Sequence, residues 1–266
     1  MSISVSLSVS PITEEIPWDA AARPEPLAAD EIHLWRLSQE RDASALNRYE
    51  DILSPEEKLR SARFRLARSK KEFVQTRGCL RLLLAHYTGL PHAALSLEPG
   101  PFGKPSLTGH HLSFNVSHTE GVSLIAIAHA EVGVDVERVI ASADLPAIAH
   151  AHFSPGEIAK LQALSGREHT EAFFRCWTRK EAFLKAQGFG LPHGLDSFEV
   201  SLRPGEPAEV LACAWQADAR DRWLLVHLAP APGTLGALAT QCPAGHAAPH
   251  VVPLDWSADL ARRLLT

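Results

Sequence analysis

Two stretches of this chain, 100 residues apart, open on the same signal. "SPEEKLRSARF" begins at Ser54 and "SPGEIAKLQAL" at Ser154. In each, Ser stands at a helix N-cap, Pro at the first helical position, and Glu (Glu57, Glu157) three residues after the Ser, where its carboxylate can return to the cap. The correspondence runs further. Phe73 recurs as Phe173, the "TGL" that ends one helical pattern near Gly89 recurs as "FGL" at 189–191, and "EIHLWRL" from Glu31 keeps the same offset from "EVGVDVE" at Glu131. "LSFNV" (112–116) also resembles "DSFEV" (196–200) in pattern. We read an internal duplication of a strand, helices and a strand meander, in two halves of roughly 100 residues. The expected fold is α+β, with two pseudosymmetric halves in one chain and a ligand cleft between them. The division is an N-terminal extension over 1–29, a first half over 30–129 and a second over 130–266.

Composition supports a globular chain: 45% of its 266 residues are hydrophobic and 21% charged, enough of each for a packed core and a wet surface. No apolar run approaches the roughly 18 residues that cross a bilayer, so no membrane span is expected. The start, "MSISVSLSVSPITEEIP", lacks the basic region of a secretory signal. Cys79, Cys176, Cys213 and Cys242 are too scattered for a disulfide framework or a CxxC metal site, which points to the reducing cytoplasm. His110 and His111 lie in a loop without a third ligand. A net charge of −5 gives no general pull toward nucleic acid. Bases gather locally, however, at Arg60, Arg63, Arg65, Arg68, Lys70, Lys71, Arg77 and Arg81, a group suited to cradling phosphates. Residues 1–28 and the Pro- and Ala-rich tail from about Pro230 carry no usable pattern.

The halves differ in their acids. In "GVDVERV" (133–139) Gly133, Asp135 and Glu137 share one face of a strand, with Val134 and Val136 on the other. The Cα atoms of the two acids should lie about 7 Å apart, within reach of one cation. At an offset of 100 these acids stand opposite Trp35 and Leu37, and Glu181 stands opposite Arg81. On the helix, Phe174, Trp177, Glu181 and Leu184 form a stripe expected to face inward. An i,i+4 pair with Lys185 could accompany Glu181, but it would not explain an acid within that stripe. Three carboxylates without a His or Cys set favour Mg2+, whose coordination is commonly completed by phosphates and water. "GKPSL" (103–107) and "FNVSHTEG" (114–121) add Lys104, Ser117 and His118 at strand ends and turns of the first half. The two sets together suit a polyphosphorylated ligand bridged to a metal.

"GKPSL", "FNVSHTEG", "GVDVE" and "FFRCWTRKEAFLKAQGFGL", in this order and spacing, resemble the 4'-phosphopantetheinyl transferases of the two-domain Sfp type, over roughly residues 30–200. The resemblance implies two pseudosymmetric halves with the active site between them, and a monomer. It implies coenzyme A in the cleft and attack by a serine of an apo acyl or peptidyl carrier protein on the phosphorus bearing the pantetheine arm, with release of 3',5'-ADP. Asp135, Glu137 and Glu181 match the family's Mg2+ ligands, and Glu181 also matches the position of its general base. Lys185 matches a lysine on the pyrophosphate. Lys104, Ser117 and His118 match positions holding the nucleotide end, with Arg77 in the same pocket. Trp177 reads as packing for the metal helix. Two other functions could use these residues. A noncatalytic CoA or nucleotide sensor has no need of a base beside the metal, and a Mg2+-dependent pyrophosphate hydrolase would show a denser acidic motif.

Overall fold

The structure is a computed structural model and describes residues 18–20, 24–100, 102–188, 194–242 and 247–265. Most of residues 1–28 and the "FGL" at 189–191 lie outside the described residues. The chain runs β1 (Asp19–Ala20), β2 (Glu31–Ser38), α1 (Ala43–Asp51), α2 (Pro55–Ala62), α3 (Ala67–Thr88), β3 (Leu97–Pro99), β4 (Pro105–Leu107), β5 (Ser113–Thr119), β6 (Val122–Ala128) and β7 (Val132–Arg138). It continues through α4 (Leu145–His152), α5 (Pro155–Gln162), α6 (Gly166–Gln187), β8 (Phe198–Val200), β9 (Val210–Cys213), α7 (Ala219–Arg222), β10 (Trp223–Leu228), β11 (Thr234–Gln241), β12 (His250–Asp255) and α8 (Ala258–Leu264). The fold is α+β.

The larger sheet has strand order β1-β12-β2-β6-β5, and the second has order β10-β11-β7. β6, "VSLIAIA", is buried at every residue, because helices cover one face of its sheet and the second sheet covers the other. One core lies between the larger sheet and α1, α3 and α8, and another surrounds α6. A third, built from Ile32, Leu34, Leu124, Val134, Val136 and Leu238, joins the two sheets.

Both Ser-Pro starts form complete capping boxes, at Ser54 with Glu57 and at Ser154 with Glu157. Each Glu also anchors the long helix that follows. Glu57 accepts from Arg81 at 2.6 Å, and Arg81 also donates to the His92 carbonyl. Glu157 pairs with Lys180 at 2.8 Å with both side chains fully buried, and Lys180 also donates to the Leu195 and Phe198 carbonyls. α3 and α6 have 22 residues each and stop at left-handed glycines, Gly89 (φ 70°) and Gly188 (φ 68°). These landmarks are offset by 99, not 100. Lys180 therefore takes the part of Arg81, and Glu181 stands opposite Leu82, which corrects the alignment drawn from sequence.

The patternless tail has definite work. β11 lies against β7, while β12 runs parallel to β2 and α8 packs on the core of α1 and α3. No helix among the described residues is long and apolar enough to cross a membrane. Cys79, Cys176 and Cys213 are free thiols.

Candidate active site

The site begins with a glycine. At Gly133 a Cβ would collide with the Ala182 carbonyl oxygen and the Ala186 amide nitrogen, so only glycine lets α6 lie directly on β7. Strand alternation then points Asp135 and Glu137 toward that same helix. Glu181, one residue before Ala182, meets them there.

Asp135 is 3% exposed, and its two oxygens differ. Oδ1 accepts from Ser117 Oγ at 2.9 Å and from Lys185 Nζ at 2.6 Å. Oδ2 is buried and has no hydrogen-bond partner among the described residues. Burial, reinforced by the charges of Asp135 and Glu181, pushes the Glu137 carboxyl up to about 7 against the opposing effect of Lys185. Burial also raises the Glu181 carboxyl, with Lys185 opposing and Asp135 adding to the rise. The three acids therefore share one region of excess negative charge. Lys185 is its internal counter-ion, reaching across to β7 rather than pairing with Glu181.

These residues fit a divalent cation in chemistry. The donors are hard oxygens, one is buried without a partner, and a cation would relieve the repulsion among them. As the side chains stand, no three His, Cys, Asp or Glu among the described residues close on a common point, at the acids or at His110 and His111. Lys185 holds one of the oxygens that a metal would need.

On α6 the wholly enclosed row is Phe173, Cys176, Lys180 and Phe183. Phe174, Trp177 and Glu181 are only half-buried, with Leu184 closing their stripe. The stripe read from sequence thus borders the deep row, because β7 and β11 flank one side of α6 while β8, α4 and α5 flank others. This leaves Glu181 accessible from the site. Trp177 stacks on Phe173 and meets His152 edge-on, so it packs the helix in place.

Beside the carboxylates lies a cavity of about 710 Å3 lined by Arg60, Arg77, Arg81, Asn115, Ser117 and His118, among others. Arg77 is held near Glu57 at 3.5 Å, and burial draws its guanidinium below its usual pKa. Arg60 is exposed, 5.3 Å over the Phe73 ring. Ser117 belongs to both regions, since it lines this cavity and holds Asp135. Lys104 stands apart. Its ammonium donates to Glu131 at 2.7 Å and to the Ala186 carbonyl at 2.9 Å, and it lines a different cavity of about 510 Å3 with His110, His111 and Gln187. Sequence reasoning placed Arg60 only within a general basic group and missed Asn115. The signal for Asn115 was the alternation of polar residues in "SFNVSHT".

The family model of the 4'-phosphopantetheinyl transferase superfamily matches residues 131–236, from the start of β7 into β11. The 4'-phosphopantetheinyl transferase HetI of Nostoc sp. is 33% identical over 80% of this chain and 89% of its own length. A putative 4'-phosphopantetheinyl transferase of Synechocystis sp. is 36% identical over 56% of this chain and 62% of its own. The 4'-phosphopantetheinyl transferase Sfp of Bacillus subtilis is 28% identical over 62% and 72%. With a third of its residues shared with the Nostoc protein along four fifths of its length, and with the carboxylate strand and α6 inside the matched model, this chain belongs to the 4'-phosphopantetheinyl transferase superfamily.

Proposed function

We infer that the protein transfers the 4'-phosphopantetheine arm of coenzyme A to a serine of an apo acyl or peptidyl carrier protein, with Mg2+, releasing 3',5'-ADP. Family membership supports the reaction, and one observation carries the residue assignment: Ser117 joins a cationic cavity to an acidic strand. In this reading the halves over 30–129 and 130–266 are pseudosymmetric, the active site is the cleft between them, and the protein acts as a cytoplasmic monomer.

Arg77, Ser117 and His118 hold the nucleotide end of coenzyme A, with Arg60 at the rim. Lys104 joins them only when its pair with Glu131 opens. Asp135, Glu137 and Glu181 would hold Mg2+, which would supply positive charge to the pyrophosphate. Glu181 takes the proton from the carrier serine as its oxygen bonds to the phosphorus bearing the pantetheine arm. The bond from that phosphorus to the bridging oxygen breaks, and Lys185 steadies the charge that develops on the leaving phosphate. The arm thus moves to serine, the proton to Glu181, and 3',5'-ADP leaves.

Intact-mass measurement on a panel of apo carriers with CoA and Mg2+ tests this reading. A carrier that gains the phosphopantetheine arm supports it. Nucleotide release without that gain points to a hydrolase, and tight CoA binding without turnover points to a sensor.

A further inference from the structure

β5 is an edge strand of the larger sheet and β7 an edge strand of the smaller. They run side by side without a backbone ladder, yet the seam between them is regular. Ser113 Oγ accepts from the Val132 amide at 3.3 Å, Asn115 Oδ1 from Val134 at 2.9 Å, Ser117 Oγ from Val136 at 3.2 Å and Thr119 Oγ1 from Arg138 at 3.2 Å. Every second side chain of β5 thus satisfies every second amide of β7, always 19 residues on. Exposed edges of this kind are ordinarily covered or charged; here one strand's side chains cover the other's amides.

The seam bears on the site because Val134 and Val136 flank Asp135. Their amides are held by Asn115 and Ser117, and Ser117 also grips Asp135 Oδ1. The ladder with β11 sets the register of β7 from Val132 to Arg138, and the seam sets how that strand lies against β5 and the cavity beside it. Asn115 is 7% exposed, makes the shortest of the four bonds and lines the cationic cavity.

We propose that Asn115 is a positioning residue, whose side-chain oxygen fixes the placement of β7 against β5 so that Asp135 and Glu137 stand beside the cationic cavity, where the metal and the reacting phosphate would bind. The proposal rests on the transferase reading given above. A serine at 115 would supply the same kind of short acceptor as Ser113 and Ser117, whereas a leucine fills the space and leaves the Val134 amide unpaired. Three readouts apply: hydrogen exchange at the Val134 amide, the thermal shift induced by Mg2+ alone, and kcat set against the KM for CoA.

Asn115→Leu should speed Val134 exchange about 10- to 100-fold, the usual consequence of losing one buried hydrogen bond. It should also shrink the Mg2+-induced shift and lower kcat by about the same factor, with KM for CoA changed much less. Asn115→Ser should restore most of each loss. A folded Asn115→Leu with native Val134 protection, metal shift and kcat overturns the proposal. So does an Asn115→Ser that loses kcat while keeping Val134 protected, because the missing amide group would then matter instead. If the leucine variant does not fold, the serine variant alone decides by that criterion. Exchange and metal shift need no turnover. A native protein that modifies no carrier, beside a leucine variant that loses both, fails the transferase reading and leaves the positioning role standing.

Discussion

The Glu181 carboxylate is asked to be both a metal ligand and a proton acceptor, and one substitution separates these roles. Glu181→Gln keeps size and one acceptor oxygen but removes charge and basicity. If Glu181 only binds metal, raising Mg2+ refills the weakened site by mass action. We expect instead a deficit of about 100- to 10,000-fold at saturating Mg2+, the usual range for a lost general base. Full rescue of kcat would end the base assignment and leave the reaction standing. Lys104 and His118 offer a second comparison, because only His118 lines the cationic cavity, while Lys104 is engaged by Glu131. If His118 grips the 3'-phosphate, the native protein should prefer CoA to dephospho-CoA by about 10- to 100-fold, the worth of one charge-assisted bond. His118→Ala should lose most of that preference and Lys104→Ala should keep it. Competition assays with the two substrates read this directly, and the reverse pattern would return Lys104 to the pocket.

Elements show where the sequence was readable. Capping boxes and glycine stops are local chemistry, so Ser54, Ser154 and Gly89 marked their helices correctly. The register between α3 and α6 was not readable, because one residue fewer separates Ser154 from α6 than Ser54 from α3, and the partners of Glu57 and Glu157 and the stops at Gly89 and Gly188 reveal it. Lys104 was misleading for a related reason: a loop lysine can turn to either of two cavities, and the fold chose Glu131. β10 carries an element-scale prediction through His227. Its Nδ1 is buried without a partner among the described residues. Burial, then the charges of Arg179 and Arg175 on α6, lowers its pKa from the ordinary 6.5 to about 4. The folded protein thus keeps this histidine neutral while the unfolded chain takes up a proton near pH 6.5. Its contribution is fully present above that pH and is lost as the pH falls toward 4, over a range worth about 2–3 kcal/mol. Urea midpoints measured between pH 7 and 4.5 should therefore fall less for His227→Gln than for the native protein. Parallel falls would show that His227 is free to charge in the fold.

At the scale of the whole molecule, the chain's last two elements return to the sheet with which it began. β12, "HVVPLD", has a proline inside a strand, which argues against a strand in the middle of a sheet. Among the described residues β1 pairs with Leu254 and Asp255 of β12, so Pro253 lies just outside that pairing, where a missing amide costs no β1 hydrogen bond. α8 then seats Leu260 (0% exposed) and Ala261 (5%) in the core of α1 and α3, and Trp256 between them donates to the Tyr49 hydroxyl at 3.0 Å. None of this is near the carboxylates, yet it supports β2 and β6, and through them β5, which aligns the carboxylate strand. Stability and chemistry should therefore respond differently to damage at this end. Leu260→Ala should cost about 2–5 kcal/mol, as for other fully buried leucines, because it leaves a cavity under α8. At temperatures where the variant stays folded, kcat and the Mg2+ requirement should stay within about 3-fold of native, since the loss of one core side chain leaves the backbone pairing intact. Removing residues 249–266 goes further. It strips β12 from β2, opens that strand's edge and uncovers Trp35 and Tyr49, and it should abolish a cooperative thermal transition. A truncated chain that still unfolded cooperatively and responded to Mg2+ would show that the site stands without its C-terminal support.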